Sequence, residues 1–322
     1  MKLSRDLALG LASSVFAAAV GLAVVPVYIR LLGTASYGLI GFFATTQAVV
    51  QLLDLGLSAT INRETARHVT SNSLGEVGKL LHTLSVVYVA TALAVAALAT
   101  VAAPVLATDW LSSSTLSVST VRDAVILLAI VVACRWPIGL YQGVLLGGHK
   151  LGLVSIVAIA MTALGSIGAV LVLLHVSATI EMFFLWQAGV GLTHAVILRA
   201  LAWRLVGTCG LHRFDWSELK RVWAFTAGMS GIAIAGMLFM QTDKIVLSRV
   251  LSLEAYGQYM LATVVASGLY LVLTPTFNLI FPKLSALYTR SEQDLVAYYR
   301  QGTRMLTAVL FPLSTVASMY WP

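Results

Sequence analysis

Apolar residues run along this chain in long, nearly unbroken blocks separated by short polar stretches. Blocks near the roughly 20 residues that carry a helix across a hydrocarbon core occupy about 7–29, 39–61, 80–106, 123–146, 151–174, 180–203, 222–247, 256–281 and 304–321. The pattern predicts an all-α integral membrane protein, a polytopic helical bundle of nine spans. Lys2 and Arg5 precede the first block as they would in a signal peptide. The apolar stretch that follows is too long for a cleaved h-region, so the first helix is expected to be retained.

Positive charge orients the spans. With the N-terminus and every second loop placed in the cytoplasm, only Arg30, Arg122, Lys244 and Arg249 of the 20 Lys and Arg fall on the outer side, and Arg135 lies within a span. All the others fall inside, as the positive-inside rule demands. A multi-pass protein of the cell inner membrane with a cytoplasmic N-terminus is expected.

Composition agrees. The 322 residues are 59% hydrophobic and 10% charged, against roughly 45–50% and about 25% in soluble domains. That balance rules out a cytosolic enzyme, a secreted disulfide module and a disordered tail. The net charge of +7 is dispersed rather than clustered, so nucleic acid is not an expected partner. Cys134 lies in a span and Cys209 in a loop; a bridge between them is not expected. The longest outer loop is about 107–122, and the longest inner ones are 62–79, 207–221 and 283–303. None offers a folded domain of the kind a glycan polymerase or ligase would use to hold substrate.

An internal repeat divides the chain. Arg30-Leu-Leu-Gly-Thr-Ala-Ser-Tyr37-Gly38 follows the first span, and Arg249-Val-Leu-Ser-Leu-Glu-Ala-Tyr256-Gly257 follows the seventh, at a constant offset of 219 (249 minus 30). Six helices separate the copies, so the halves share one orientation, as in a parallel repeat about the membrane normal. Residues 1–221 are expected to form a six-helix lobe and 222–322 the first three helices of a second. A full second lobe would continue to about residue 430 by the same offset, so the chain reads as a fragment. The competing reading is a complete nine-span protein with a local duplication.

These residues carry a family likeness. Pro26-Val-Tyr-Ile-Arg30-Leu-Leu-Gly33 leading to Tyr37-Gly38, Asp54-Leu-Gly56-Leu with Asn62-Arg63-Glu64, and Thr242-Asp243-Lys244-Ile-Val-Leu247 before Tyr256-Gly257-Gln-Tyr259 resemble the polysaccharide-transporter branch of the multidrug/oligosaccharidyl-lipid/polysaccharide exporter superfamily, and most of all its Wzx-type O-antigen flippases. The resemblance implies a two-lobed carrier with a central cavity and alternating access. Its substrate would be a lipid-linked oligosaccharide used for O-antigen and lipopolysaccharide assembly, and its protein partners polysaccharide polymerase and assembly proteins. A multidrug or cation antiporter of the same superfamily and a membrane-embedded glycan-assembly enzyme are the rival readings.

Ionisable groups at membrane depth are costly and therefore candidates for function. Arg135, beside Trp136 and Pro137 in span four, offers a fork matched to pyrophosphate oxygens; alternatively it pairs with Asp54 or with a carbonyl freed by the proline. Asp54 could couple an ion, or could cap a helix or pair with Arg63 or Arg67. Asp243 is a second ion candidate and Lys244 a second phosphate candidate. Being adjacent on a helix, these two are not expected to pair. Gln142 and Gln241 could bind sugar hydroxyls; Gln47, Gln51, Gln187 and Asn278 share that chemistry, or join helices. Arg30 and Arg249 are expected to anchor the helix ends at the interface or to shape the outer gate, and Tyr37-Gly38 and Tyr256-Gly257 to form turn and helix-start elements, the glycines supplying backbone freedom. Pro26, Pro137 and Pro275 predict bent or broken helices. The histidines form no metal-ligand spacing, no phosphate loop is present, and no cofactor is expected.

Overall fold

The computed structural model describes residues 2–71, 73–207, 214–267 and 292–319. Cys209, His212, Pro275 and Asn278 lie outside the described residues. Among the described residues every regular element is helical: α1 (Lys2–Val50), α2 (Leu57–Thr70), α3 (Leu74–Val105), α4 (Val118–Arg135), α5 (Ile138–Gly147), α6 (Leu151–His175), α7 (Ile180–Val206), α8 (Trp216–Val250), α9 (Leu253–Ser267) and α10 (Glu292–Met319). The chain packs as two compact units, Met1–Tyr259 and Met260–Pro322. The second holds α10, which has Pro312 inside it.

Among the described residues, five helical stretches are long and apolar enough to cross a bilayer: Leu9–Asp54, Gly75–Trp110, Val118–Gly147, Leu151–His175 and Ile180–Val206. The first is two crossings. At Gly33 the backbone leaves the helix (φ 82°, ψ 168°), a conformation open to glycine and strained for other residues. The chain then doubles back: Tyr28 stacks edge-on to Phe183 with ring centroids 5.2 Å apart, and Phe43 meets the next residue, Phe184, at 5.8 Å. Large apolar side chains face outward along these helices, among them Val101 at 78% and Leu98 at 72% exposure. Such a surface is stable only against lipid.

Two of the expected spans are broken. Span two runs as helix to Val50, tightens into a 3-10 turn over Gln51–Asp54, and is interrupted by the left-handed Leu55 (φ 49°) and Gly56 (φ 80°) before α2 begins. Span four breaks between α4 and α5 because Pro137 has no N–H to give the Ala133 carbonyl; Trp136 N–H still reaches Val132 O at 2.9 Å. The loops expected at 62–79 and 283–303 are corrected where described: α2 continues to Thr70, α3 starts at Leu74 and α10 at Glu292. Arg, Lys, Glu, Leu and Ala in these stretches are good helix formers, so the helices continue past the hydrocarbon.

The short half-helices α2 and α5 pack directly on each other. Gly139, Gly143 and Gly147 form one stripe on α5, facing α2. A Cβ on Gly143 would stand 2.6 Å from Ser58 O, and one on Gly147 would stand 2.8 Å from Thr65 Cβ and overlap Asn62 O. This close contact is one side of a core built from Leu57 and Ile61 of α2, Leu80, Leu81 and Leu84 of α3, Leu140 and Val144 of α5, and Leu198 of α7.

Candidate functional site

Both helix breaks open onto one cavity of about 760 Å3 inside the first unit. Its wall includes Arg135, Asp54, Gln47, Gln51, Gln142, Gln187 and His194, with aromatic faces from Tyr28, Tyr37, Phe43, Trp136 and Phe183. Ligand cavities commonly measure about 300–1,000 Å3 and combine an apolar wall with a few directed polar groups.

Arg135 is the last residue of α4, where the negative end of a helix dipole favours a cation. Its Nη2 donates to Gln187 Oε1 at 2.6 Å and its Nη1 to Gln47 Oε1 at 3.3 Å. The guanidinium carbon lies 5.4 Å from the centre of the Phe43 ring. Gln187 is itself fixed by donating through Nε2 to Gly165 O at 3.1 Å. The partners shown for Arg135 are thus neutral amides and a ring face, not the Asp54 carboxylate. Gly191 leaves the guanidinium stem room, since a Cβ there would stand 2.8 Å from Arg135 Cγ.

Asp54 sits at the other break, ahead of the positive end of α2. It accepts from Ser58 N–H at 3.3 Å and from Ser58 Oγ at 2.6 Å, and Tyr88 O–H also donates to it. These bonds tie Asp54 to the first turn of α2. Arg63 and Arg67 turn instead to Glu64, at 3.0 and 3.4 Å. Trp136 tilts over Tyr88, ring centroids 5.7 Å apart, and its buried indole N–H has no hydrogen-bond partner among the described residues.

Gln142 joins this cavity, whereas Lys244, Asp243 and Gln241 stand on α8, outside its wall. The expectation that Asp243 and Lys244 would not meet is corrected: Lys244 Nζ lies 3.4 Å from Asp243 Oδ1. The flexible lysine stem overcomes the angular offset of neighbours by curling back, which also lets Nζ donate to Met240 O at 2.7 Å. Tyr259 O–H donates to the other Asp243 oxygen. Gln241 Oε1 is buried without a partner among the described residues.

The repeat residues gather at the Gly33 end of the unit. Arg30 is exposed on α1, and the Arg249 guanidinium lies over the Trp110 ring at 5.1 Å. Tyr37 lines the cavity, while Tyr256 is fully buried and its O–H meets Thr45 Oγ1 at 3.1 Å. Gly38 and Gly257 are not turns. Both lie within helices and touch across the repeat: a Cβ on Gly38 would overlap the Leu253 carbonyl, and one on Gly257 the Thr34 carbonyl. Space, not backbone freedom, demands glycine there.

Nothing in the apolar pattern singled out Glu254 and the segment it holds. Its Oε1 accepts from Ser113 Oγ at 2.7 Å, Ser114 N at 3.2 Å, Ser114 Oγ at 3.3 Å and Thr115 Oγ1 at 2.9 Å. Leu253 N–H donates to Ser112 O at 2.8 Å, and Trp110 Nε1 to Ser248 Oγ at 3.1 Å. The glycine stripe of α5 was readable in the sequence as Gly139-xxx-Gly143-xxx-Gly147, a small-residue spacing that brings membrane helices together.

A family model described as polysaccharide biosynthesis protein covers residues 3–316. No curated protein and no solved structure matches the chain.

Proposed function

The chain belongs to the polysaccharide biosynthesis protein family, the family of Wzx-type polysaccharide transporters within the exporter superfamily, and we propose that it carries a polyprenyl-pyrophosphate-linked oligosaccharide from the cytoplasmic to the outer leaflet by alternating access. One observation carries this reading. Arg135 faces a cavity of about 760 Å3 and is held by neutral groups alone among its shown partners, Gln47, Gln187 and Phe43. A guanidinium desolvated without a carboxylate gains most from an anion that arrives and leaves, and its fork matches phosphate oxygens.

The rest of the wall suits the remainder of such a substrate. Gln51 and Gln142 can exchange hydrogen bonds with sugar hydroxyls, and the unpaired Trp136 N–H is a further donor. Lys244, on α8, would help draw the head group in. Asp54, and less directly Asp243, would couple the cycle to a proton or sodium gradient. The prenyl tail would remain in the bilayer of the inner membrane, the N-terminus would be cytoplasmic, and no bond of the glycan would be made or broken.

The test follows lipid-linked oligosaccharide in cells lacking the gene, with an assay that separates the two leaflets. The intermediate is expected to accumulate on the cytoplasmic leaflet, to be cleared by the wild-type gene, and not to be cleared by Arg135→Ala. If it reaches the outer leaflet at the normal rate without the gene, the flippase reading is wrong.

A further inference from the structure

We propose that Glu254 is the bolt of a latch that closes the outer mouth of the first unit and must be withdrawn before the cavity can open outward. The proposal rests on the transport reading above, and on the charge pattern that puts the Gly33 end of the unit outside.

One carboxylate oxygen gathers four donors, all from three consecutive residues, Ser113, Ser114 and Thr115. These residues belong to the segment between α3 and α4, whereas Glu254 opens α9. A single side chain therefore ties the first six helices to the second copy of the repeat. The backbone bond from Leu253 to Ser112 and the bond from Trp110 to Ser248 lie beside it and run between the same two segments.

The chemistry of the tie is that of a reversible closure. The bonds from Ser114 and Thr115 are exposed, so water can take over each donor and acceptor when they part. Individually such bonds contribute little net free energy; four on one charged oxygen make a closure that is specific yet releasable. Next to it, Gly38 and Gly257 meet backbone to backbone. The glycine contact has no side-chain interlock of its own, but the buried Tyr256 beside it, bonded to Thr45, has to leave its seat as the two copies part.

The carboxylate is also an asymmetric addition. At the equivalent place in the first copy, 219 residues earlier (254 minus 35), stands Ala35. The glycines of the repeat contact are present in both copies. Glu254 adds a hold on the α3–α4 segment that the first copy lacks.

The test places a cysteine at Ile40, which lines the cavity, in a chain carrying Cys134→Ala and Cys209→Ala. Right-side-out membranes are treated with an impermeant maleimide. Glu254→Gln, which removes the charge and keeps the shape, is expected to raise the outside labelling rate of Ile40→Cys roughly tenfold, the order of effect of losing charge-assisted bonds. An unchanged rate in a normally inserted variant overturns the latch. A second variant, Ser113→Cys with Glu254→Cys in the same background, is bridged with a short reducible bifunctional thiol reagent. Bridging is expected to stop oligosaccharide translocation and reduction to restore it; a bridged protein that translocates at the unbridged rate also overturns the proposal. Labelling involves no substrate, so it judges the latch even if the leaflet assay rejects the transport reading.

Discussion

Gly38 and Gly257 occupy equivalent places in the two copies of a repeat and rest against each other, each too close to the partner copy's backbone to carry a methyl group. The carbonyls they would strike, of Leu253 and Thr34, are also equivalent, both 219 residues apart (253 minus 34; 257 minus 38). A contact in which i meets j and j meets i is the mark of two-fold pairing. The sequence repeat is thus expressed as a self-complementary packing contact.

Alanine at either glycine is expected to destabilise the protein by about 1–3 kcal/mol, the usual cost of overpacking a tight contact. Gly189→Ala, where nothing lies within 4 Å of the added Cβ, should be neutral or slightly stabilising. Unfolding of the purified variants in detergent checks this; equal midpoints for Gly257→Ala and Gly189→Ala would refute it.

Arg135→Lys keeps the charge but cannot reach Gln47 and Gln187 with one planar fork. Translocation should fall about tenfold in Arg135→Lys and further in Arg135→Ala. Initial rates in the leaflet assay report both. A lysine variant as active as wild type would mean that charge alone suffices.

Asp54→Asn and Ser58→Ala separate capping from coupling. Ser58→Ala removes the 2.6 Å bond to Asp54 and should cost about 1–2 kcal/mol of stability, as losing a helix cap does. Asp54→Asn retains an acceptor for Ser58 and should unfold within about 1 kcal/mol of wild type, yet lose the response of transport to a collapsed ion gradient. Retention of that response in Asp54→Asn would leave the residue as a cap alone.

Packing of α5 on α2 should be equally intolerant of bulk. Gly147→Ala is expected to cost about 1–3 kcal/mol, because a Cβ there would strike Asn62 O and crowd Thr65. Proteolysis of membranes, probing the α2–α3 connection, reads the loosening; wild-type resistance in Gly147→Ala would contradict the packing argument.

The Glu254 contact should ignore pH over the ordinary range. Burial alone would raise its carboxyl, but hydrogen bonds from Ser113, its own backbone, Thr115 and Ser252 outweigh that and hold it at about 2, below the usual 4.5. A depressed value in the folded state gives stability that is complete above the unfolded value and lost as pH falls from 4.5 toward about 2. Exchange protection of the Ser114 amide is therefore expected to be flat from about pH 5 to pH 8, after correction for intrinsic exchange. A step within that window would show that another group controls the contact.

Much of this was legible in the chain. Six of the apolar blocks match the five long apolar stretches found among the described residues, the first of which Gly33 divides in two, because hydrocarbon thickness fixes block length. Pro137 announced the break in span four. The break in span two was hidden: Leu55 and Gly56 sit inside an apolar run, and hydropathy averages over a two-residue left-handed interruption. Arg135, Asp54 and Gln142 converge on one cavity because each interrupts a span, a cost that membrane depth makes conspicuous. The Asp243–Lys244 pair escaped because helix geometry constrains Cβ directions but not the tip of a long side chain. Glu254 escaped because a carboxylate near a helix start has an ordinary local explanation, and its partners lie about 140 residues away.

The glycine stripe of α5 has a mechanical consequence. A half-helix ending at a break would ordinarily be a loose flap, free to swing about its own interruption. Here α2 and α5 are pressed together along Gly139, Gly143 and Gly147, and so form a single stiff strut. The carboxylate stands just beyond one member of this strut and the guanidinium just beyond the other. A tug on either charge is therefore delivered to the whole strut, and the two interruptions act as paired handles on one lever.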